Sequence, residues 1–375
     1  MATMQPIAAI SANPDERLLR IEQARAAVMF EGRSDTDAMA GAWLNHSWIE
    51  RSWRRCMAHG RRPDENLAFD VLPAQAARRA SDGAHELVTA ARPVLDQLSR
   101  AIASTRYFAI LTDANGIVVD VGGDIDRSDA RSHLITRIGV DLSETAVGTT
   151  AIGAALAEHQ PVWLHRGEHF FRDTSVYSCA GAPFFGPDGH CAGMLDLTGV
   201  ETIERPELRH LAAQAARSIE NALAMARPHA LMLRLNWPGH AMGDDTDGLI
   251  SLDGDGCVTG ANPAARQMVP LLAQPRTALL HCSELFAMPM EMLFDSAGLE
   301  HPLEVPLWSG LRLQVLSTSA GQQPGLRRNA RALPLREVEA ALIRKAVDDA
   351  RGNVLQAART LGISRATVYR KLGKK

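Results

Sequence analysis

The chain has 375 residues, 46% of them hydrophobic, and its 40 basic and 43 acidic residues nearly balance. This length and composition exclude a disordered chain or a small disulfide scaffold and allow two or three domains, each with its own core. The sequence has no run of about 18 apolar residues and does not begin with a signal-peptide pattern, so we expect a cytoplasmic protein without a membrane partner.

Cysteine usage also limits the possible chemistry. The five cysteines are odd in number and include no C-x-x-C pair, which argues against a disulfide framework or a structural zinc site. We expect reduced thiols and no cofactor or metal. The cysteines are Cys56, Cys179, Cys191, Cys257 and Cys282.

Residues 1–72 are predicted to form an N-terminal helical region. Apolar residues recur there at helical spacing, and Trp43, Trp48 and Trp53 fall near one helix face. Packing against a neighbouring helix explains that face better than an aromatic ligand-binding box. From Pro73 to Thr105 a long helix is predicted to lead into the next domain.

A sheet is predicted to follow. Two of its strands flank the tight turn Asp113-Ala114-Asn115-Gly116. One helix is predicted from Val147 to Glu158, and another begins at Pro206 and continues through Met225. This order fits a sheet with helices on its faces. The predicted strands are Tyr107–Thr112, Ile117–Val121, Pro161–His165, Tyr177–Phe184 and Cys191–Thr198.

Residues 228–316 are predicted to form a second domain, set off by Pro228 and Pro238. The turn Asp253-Gly254-Asp255-Gly256 joins two strands, and Asn262 begins a helix. We interpret the Asp-Gly repeat as a turn because the terminal glutamate of a calcium-binding loop is missing. The predicted strands are Leu249–Leu252, Cys257–Thr259, Leu303–Leu307 and Leu311–Leu316.

Residues 317–333 are rich in Ser, Gly, Gln, Pro and Arg and are predicted to be a flexible linker. Residues 334–375 show three helical patterns separated by Gly352 and Gly362, with Asn353 and Ser364 as helix caps. Residues 331–375 hold eleven basic and four acidic groups, including every lysine of the chain. A glycine-centred turn followed by a basic helix predicts a helix-turn-helix that enters the major groove of DNA. The alternative, a helical cap with solvated arginines, accounts for the turn and the charge less well.

The letters GNVLQAARTLGISRATVYRKL resemble the Fis-type helix-turn-helix. The resemblance implies that the first helices pair into a dimer. Leu355 stands where that family has Ser or Thr, so we expect no phosphate hydrogen bond from this position. Lys371, Arg370 and Lys374 are predicted to contact phosphates, and Arg365 and Thr367 the base edges. The residues that the resemblance places near DNA are Asn353, Ser364, Arg365, Thr367, Arg370 and Lys371.

The phrases VGTTAIGAALAEHQPVW, EHFFRDTSVYSCAGAPFFGPDG and GMLDLTGV resemble the GAF sensor domain of the acetoin-catabolism-regulator (AcoR-type) family. This resemblance implies a ligand pocket between the sheet and its covering helices, and Tyr177 replaces the usual Trp there. GLISLDGDGCVTGANPAA resembles the start of a PAS domain. The candidate ligand-binding residues are Thr149, His169, Phe170, Tyr177 and Cys179.

The predicted fold class is therefore α/β (α+β) and multidomain. It has a GAF domain with flanking helices at 73–227, a PAS-like domain at 228–316, a linker at 317–333 and an all-α Fis-type helix-turn-helix at 334–375. The family resembled carries an ATPase module between sensor and helix-turn-helix. This chain has no G-x-x-x-x-G-K-[ST] motif and no lysine before Lys345, so it is not expected to hydrolyse ATP.

Other chemistry finds little support in the sequence. Cys179 fits an inert core thiol better than a redox switch, and His169 beside Glu168 lacks a second ligand at metal-binding spacing. No G-x-S-x-G or H-E-x-x-H motif occurs, and the acidic residues Glu144, Asp173 and Asp196 form no acid–base pair, so we do not expect an enzyme.

These observations predict a ligand-responsive, one-component transcriptional regulator without ATPase activity. It would bind double-stranded DNA as a homodimer and respond to a small-molecule effector. Two alternatives remain. One is an adaptor whose sensor domains bind a metabolic enzyme or an ATPase-containing paralogue, and the other is a thiol sensor acting through Cys179.

Overall fold

Two antiparallel sheets, each of five strands, organise the part of the chain before residue 320. The structure, a computed structural model, describes residues 14–29, 47–73, 75, 80, 82–274, 278–299, 301–320 and the single positions 354, 356, 358, 365 and 368. The chain divides into two units, Met1–Ser319 and Ala320–Lys375.

The first sheet and its helices account for the described residues up to 226. The helices are α1 (Pro14–Met29), α2 (Ser47–Ala58), α3 (His85–Ile102), α4 (Ala130–Ile135), α5 (Glu144–Val147), α6 (Ala151–Glu158) and α7 (Leu208–Ala226). The strands are β1 (Tyr107–Asp113), β2 (Val118–Gly122), β3 (Val162–His165), β4 (Tyr177–Phe185) and β5 (Cys191–Val200). These strands confirm the predicted ones to within a few residues.

The first sheet has the order β2-β1-β5-β4-β3, with every neighbouring pair antiparallel. Its central strand is β5, where Asp196 lies opposite Ile110 on one side and Gly181 on the other. In the same register Thr198 of β5 lies opposite Cys179 of β4. Alternation along a strand therefore puts Asp196, Thr198 and Cys179 on one face of the sheet.

Both faces of this sheet are covered by helices, as predicted. One face packs against α3 and α7 through residues such as Leu95 and Ile219. The other packs against α1, α2 and α6, and Val28, Trp53 and Ile152 share its hydrophobic cluster with strand residues. The N-terminal helices thus complete the core of the first sheet, and the predicted boundary at residue 72 does not separate two cores. Hydrophobic spacing alone identified the helices but not the surface that they cover.

The helix predicted from Val147 to Glu158 is interrupted. α5 ends at Val147, and Gly148 takes φ 66° and ψ −158°, which is not helical. Thr150 then caps α6, its hydroxyl accepting a hydrogen bond from the Gly153 amide at 3.2 Å. The apolar sequence hid this break because small residues suit both a helix and a tight bend.

The second sheet has the order β8-β7-β6-β10-β9. Its strands are β6 (Leu231–Asn236), β7 (Gly248–Leu252), β8 (Val258–Ala261), β9 (Leu303–Pro306) and β10 (Arg312–Ser319), and its helices are α8 (Pro263–Met268), α9 (Cys282–Leu285) and α10 (Met290–Asp295). The spatial order matches that of the first sheet, except that the central strand comes first in the chain instead of last.

Two features of this sheet were not predicted. The central strand β6 falls between the two prolines taken as a break, although Leu231, Leu233 and Leu235 are fully buried. β10 continues through Ser319, so the first three residues of the predicted linker belong to the sheet. Pairing with β6 extends β10, and such long-range pairing leaves little trace in a short polar segment.

Candidate ligand site and DNA-binding helix

The five candidate ligand-binding residues are all buried in the first unit. Phe170, Tyr177 and Cys179 belong to the hydrophobic cluster between the sheet and α1, α2 and α6. Thr149 and His169 are 0% exposed. The structure therefore brings these residues to the helix-covered face on which the ligand pocket was predicted, but in a packed core. Their binding role stays a prediction.

Helix α2 contacts Thr149 directly. The Thr149 hydroxyl lies 2.7 Å from the Ser52 hydroxyl and 3.6 Å from the Cys56 sulfur. Ser52 also donates to Glu144 Oε2 at 2.8 Å. The N-terminal helix thus supplies polar neighbours that the sequence did not associate with the site.

An ion-pair network joins α2 to α5 and α6. Arg55 donates to both carboxylate oxygens of Glu144, at 2.6 and 2.9 Å, and to Glu158 at 2.9 Å. Hydrogen bonding to Glu144 raises the pKa of Arg55 above its usual value. Bidentate pairing fixes direction as well as distance, so Arg55 sets the position of α2 against the two helices that flank Thr149.

A second buried contact holds the loop that carries His169 and Phe170. Arg25 of α1 is 7% exposed and donates to three backbone carbonyl groups, those of Gly167, His169 and Phe170. Trp53 donates its indole N–H to the Glu168 carbonyl at 2.9 Å. Desolvation lowers the pKa of Arg25. The loop conformation therefore depends on the two N-terminal helices.

The side chain of Glu168, in the same loop, is also buried. Arg17 donates to Glu168 Oε1 at 2.9 Å, and the backbone N–H of His165 donates to Oε2 at 2.6 Å. Burial raises the pKa of Glu168 to about 7 despite the neighbouring arginine. Both carboxylate oxygens are occupied within the protein, so Glu168 is better placed to anchor α1 than to bind a ligand.

His169 is a neutral, buried imidazole. Its Nδ1 donates to the Arg166 carbonyl at 2.8 Å, which leaves Nε2 as an acceptor, and Nε2 has no hydrogen-bond partner among the described groups. Burial lowers the pKa of His169 to about 4. Within the described ranges, no group of three or more His, Cys, Asp or Glu side chains is placed to hold a metal ion.

Tyr177 and Cys179 have partners inside the core. The Tyr177 hydroxyl donates to the Arg131 carbonyl at 3.1 Å, which ties β4 to α4. The Cys179 sulfur lies 3.5 Å from the Thr198 hydroxyl. Burial raises the pKa of the Cys179 thiol well above its usual value, which disfavours the thiolate that a redox switch needs.

Asp196 is the functional candidate that the sequence did not select. It is 2% exposed, and its Oδ2 accepts a hydrogen bond from Thr198 while Oδ1 has no partner among the described residues. Burial raises the pKa of Asp196 to about 7. The other two acids considered with it lie in separate contacts, Glu144 with Arg55 and Asp173 with the backbone N–H of Leu67. The sequence feature that could have identified Asp196 is its position as the one acidic residue in the apolar strand GMLDLTGV.

A cavity of about 460 Å³ opens elsewhere, among the start of α3, the end of α7 and two strand turns, and none of the five candidates lines it. Two of its acidic groups are already used by their own turns. Asp113 accepts the backbone N–H groups of Asn115 and Ile117, and Asp188 accepts that of His190. We therefore assign no ligand to this cavity.

The described positions of the C-terminal unit agree with the predicted helix-turn-helix. All five lie in helices, with Ala358 and Val368 buried and Gln356 and Arg365 exposed. Arg365 thus faces outward, as a base-contacting residue requires. The other predicted DNA-binding residues, Asn353, Ser364, Thr367, Arg370 and Lys371, lie outside the described residues.

Comparison with known proteins finds a family match in the N-terminal part of the chain and another in the C-terminal part. Residues 20–221 match the family described as MimR, N-terminal domain, and residues 334–374 match the bacterial regulatory protein, Fis family. The predicted Fis-type helix-turn-helix is therefore confirmed. Among the described residues, no helix has the length and apolar character needed to cross a bilayer.

Two curated relatives are transcriptional regulators. The chain is 30% identical over 227 residues to an acetoin catabolism regulatory protein of Cupriavidus necator, covering 59% of this chain and 34% of that protein. It is 30% identical over 176 residues to the acetoin dehydrogenase operon transcriptional activator AcoR of Bacillus subtilis, covering 47% of this chain and 29% of that one. The chain thus spans about a third of the length of the relatives it matches, and the AcoR-type resemblance is confirmed.

Among solved structures, the chain is similar to the crystal structure of the E. coli DhaR(N)-DhaL complex. The TM-score is 0.44 at 16% identity, and the match covers 73% of this chain and 99% of that one.

Proposed function

The chain belongs to the family defined by the MimR N-terminal domain, and from that premise we propose that it is a ligand-responsive transcriptional regulator that binds DNA as a homodimer. The observation that carries the proposal is the presence, in one chain, of this sensor match at 20–221 and a Fis-family match at 334–374. A buried sensor core and an exposed arginine on a helix of the DNA-binding segment are the parts such a regulator needs.

We assign the first sheet with its helices to a GAF sensor domain and the second sheet to a PAS-like domain. The matching strand orders of the two sheets and the sequence phrases quoted above support this assignment. In the proposed mechanism, the effector binds on the α1, α2 and α6 side of the first sheet. It favours one arrangement of these helices, and this changes how the two DNA-binding segments of a dimer engage a palindromic site.

The proposed regulator acts without hydrolysing ATP. The chain has no phosphate-binding G-x-x-x-x-G-K-[ST] motif between the sensor and the helix-turn-helix. Its effect on transcription would then come from occupancy of the DNA site. The absence of this motif also favours one alternative, in which the chain pairs with an ATPase-containing paralogue and DNA binding is secondary.

A genome-wide map of DNA sites bound by the purified full chain tests the proposal. We expect a palindromic consensus sequence and a complex containing two chains per site. We also expect loss of binding in a truncation that ends at Ala332, before the Fis-family match. Recovery of a stable partner protein without sequence-specific footprints would support the adaptor instead, and failure to bind any DNA at low salt would refute the regulator.

A further inference from the structure

The turn between β4 and β5 of the first sheet is bonded to the second sheet. In this turn the Pro187 carbonyl oxygen accepts the backbone N–H of Ala261 at 2.8 Å and Arg266 Nη2 at 2.9 Å. Ala261 is the last residue of β8, and Arg266 lies in α8. One carbonyl group of the first sheet therefore binds both a strand and a helix of the second. We call this arrangement the turn contact.

Close packing leaves little freedom at the turn contact. A Cβ atom at Gly189 would lie 2.9 Å from Arg266 Cζ, and one at Gly260 would lie 2.9 Å from the Pro187 Cβ. The two glycines therefore let the two backbones approach each other. Arg266 Nε also donates to the Ala261 carbonyl at 3.2 Å, so the guanidinium is oriented by the second sheet before it reaches Pro187.

A second polar contact, which we call the helix contact, joins the end of α7 to the same part of the second sheet. Asn262 Nδ2 donates to Asn221 Oδ1 at 2.7 Å and to the Asp247 carbonyl at 2.9 Å. Asn262 Oδ1 accepts the backbone N–H groups of Leu249 and Ala265, each at 2.8 Å. Asn221 and Asn262 are 6% and 2% exposed. Because every hydrogen-bonding position of the Asn262 amide is occupied, this buried network favours a single placement of α7 on the sheet.

Both contacts lead back to β4. Phe185, the last residue of β4, donates its backbone N–H to Glu220 Oε1 at 3.0 Å, and Glu220 directly precedes Asn221 in α7. The turn that carries Pro187 begins directly after Phe185. At its other end β4 starts with Tyr177, which lies in the hydrophobic cluster with α1, α2 and α6. A shift of β4 along its axis would therefore act on both contacts at once.

We propose that the turn contact and the helix contact join the two sheets into one cooperative body, without a hinge at the connection 227–230. A change in the first sheet then reaches the second through β4 and α7. Domains that follow each other in a chain move relative to one another by default, and here the two buried polar contacts oppose that motion. The inference concerns the two sheets alone, so its test needs neither an effector nor DNA, and loss of DNA binding would not affect it.

Hydrogen exchange of the full chain, followed by mass spectrometry, tests the proposal. Ile110→Val removes one methyl group from β1, where Ile110 is 1% exposed, and weakens the first sheet. If the two sheets open together, the slowest amides of β5 and of β6 should exchange faster by the same factor, about two- to tenfold. Gly148→Ala repeats the comparison with a larger perturbation of the first sheet. A smaller factor in β6 than in β5 would overturn the proposal.

Two further variants assign the coupling to the two contacts. Asn221→Ala/Arg266→Ala removes the side chains of both contacts, and adding Ile110→Val to it should speed exchange in β5 but no longer in β6. Val305→Ala is the control, because it weakens the second sheet at a fully buried position of β9 that belongs to neither contact. It should leave the shared response to Ile110→Val intact. Continued transmission in Asn221→Ala/Arg266→Ala, or its loss in Val305→Ala, would show that these contacts do not join the sheets.

Discussion

The hydroxyl groups of Ser52 and Thr149 lie 2.7 Å apart, and both residues are completely buried. Ser52 belongs to α2, whereas Thr149 stands between α5 and α6 on the face where the effector site is proposed. A polar pair in an apolar core is costly to separate because each hydroxyl would lose its partner. Under the proposed function, an effector that moved Thr149 would therefore move α2 as well, and the N-terminal helices would then take part in the response.

Arg55 is predicted to hold α2 in this position. Arg55→Ala removes three hydrogen bonds to Glu144 and Glu158. We expect a loss of about 1–2 kcal/mol in the free energy of unfolding, because the Arg55 side chain is 34% exposed and its ion pairs are partly screened by solvent. Urea unfolding followed by tryptophan fluorescence measures it.

The neighbouring arginine supplies the control. Arg54→Ala removes a pair with Glu50 in the same helix, with the Arg54 side chain 42% exposed, and should cost about 0.3–0.5 kcal/mol. Equal losses in the two variants would mean that Arg55 acts only as a surface charge of α2.

Gly148 is predicted to be irreplaceable at the break between α5 and α6. Its φ is +66°, and a Cβ atom there would lie 2.8 Å from the Phe171 ring. Gly148→Ala therefore combines backbone strain with overpacking, and we expect a loss of about 3 kcal/mol or more in the free energy of unfolding. Gly239 also has a positive φ, +90°, but a Cβ atom built there would have no neighbour within 4 Å. Gly239→Ala should therefore lower the free energy of unfolding by only about 1 kcal/mol. Thermal and urea unfolding of both variants decide whether crowding at Phe171 adds to the strain.

The parts of the fold that sequence predicted are those fixed by neighbouring residues. The turn at Asp113 to Gly116 is one example, since the Asp113 side chain accepts the backbone N–H of Asn115 within the turn and that of Ile117 directly after it. The cap at Asn262 is another, its side chain accepting the Ala265 amide at 2.8 Å. Such signals lie within five residues and survive in any tertiary setting.

The rest depended on contacts between distant residues. Ser52 and Thr149 are 97 positions apart, and no local pattern relates them. Asp196 was visible as an acid in an apolar strand, but its unpaired oxygen follows from having Ile110 and Gly181 as cross-strand neighbours. The five candidate ligand residues are all buried, and the packing of Phe170, Tyr177 and Cys179 in one cluster with residues of α1 and α2 follows only from the assembled fold.

Asp196 is also predicted to make stability depend on pH. Burial raises the pKa of its carboxyl from 3.8 to about 7, so between these values the folded chain binds a proton that the unfolded chain does not. The contribution of Asp196 to stability is therefore present below pH 3.8 and is lost as pH rises through about 7. Asp196→Asn removes this titration.

The measurement is the difference in free energy of unfolding between Asp196→Asn and wild type at several pH values. We expect the difference to move in favour of the variant from pH 5 to 7, by at most about 1.4 kcal/mol per pH unit, and to level off above pH 8. Burial also raises the pKa values of Glu168 and Glu220 to about 7. Both residues are present in both proteins, so their contributions to the pH dependence cancel in the difference. A difference independent of pH would show that Asp196 titrates normally in the folded chain.

Arg365 is predicted to carry sequence recognition in the DNA-binding segment. It is helical and exposed, while Val368, three residues later, is buried. Arg365→Ala should lose about 1–3 kcal/mol of binding free energy on the preferred site and little on scrambled DNA, because a base contact is lost and the phosphate contacts remain. Arg312→Ala, which removes an equally charged and 66% exposed side chain from the sensor unit, is the control for net charge. Fluorescence anisotropy on both DNAs at fixed salt measures the effect, and equal losses on the two would assign Arg365 to the phosphate backbone.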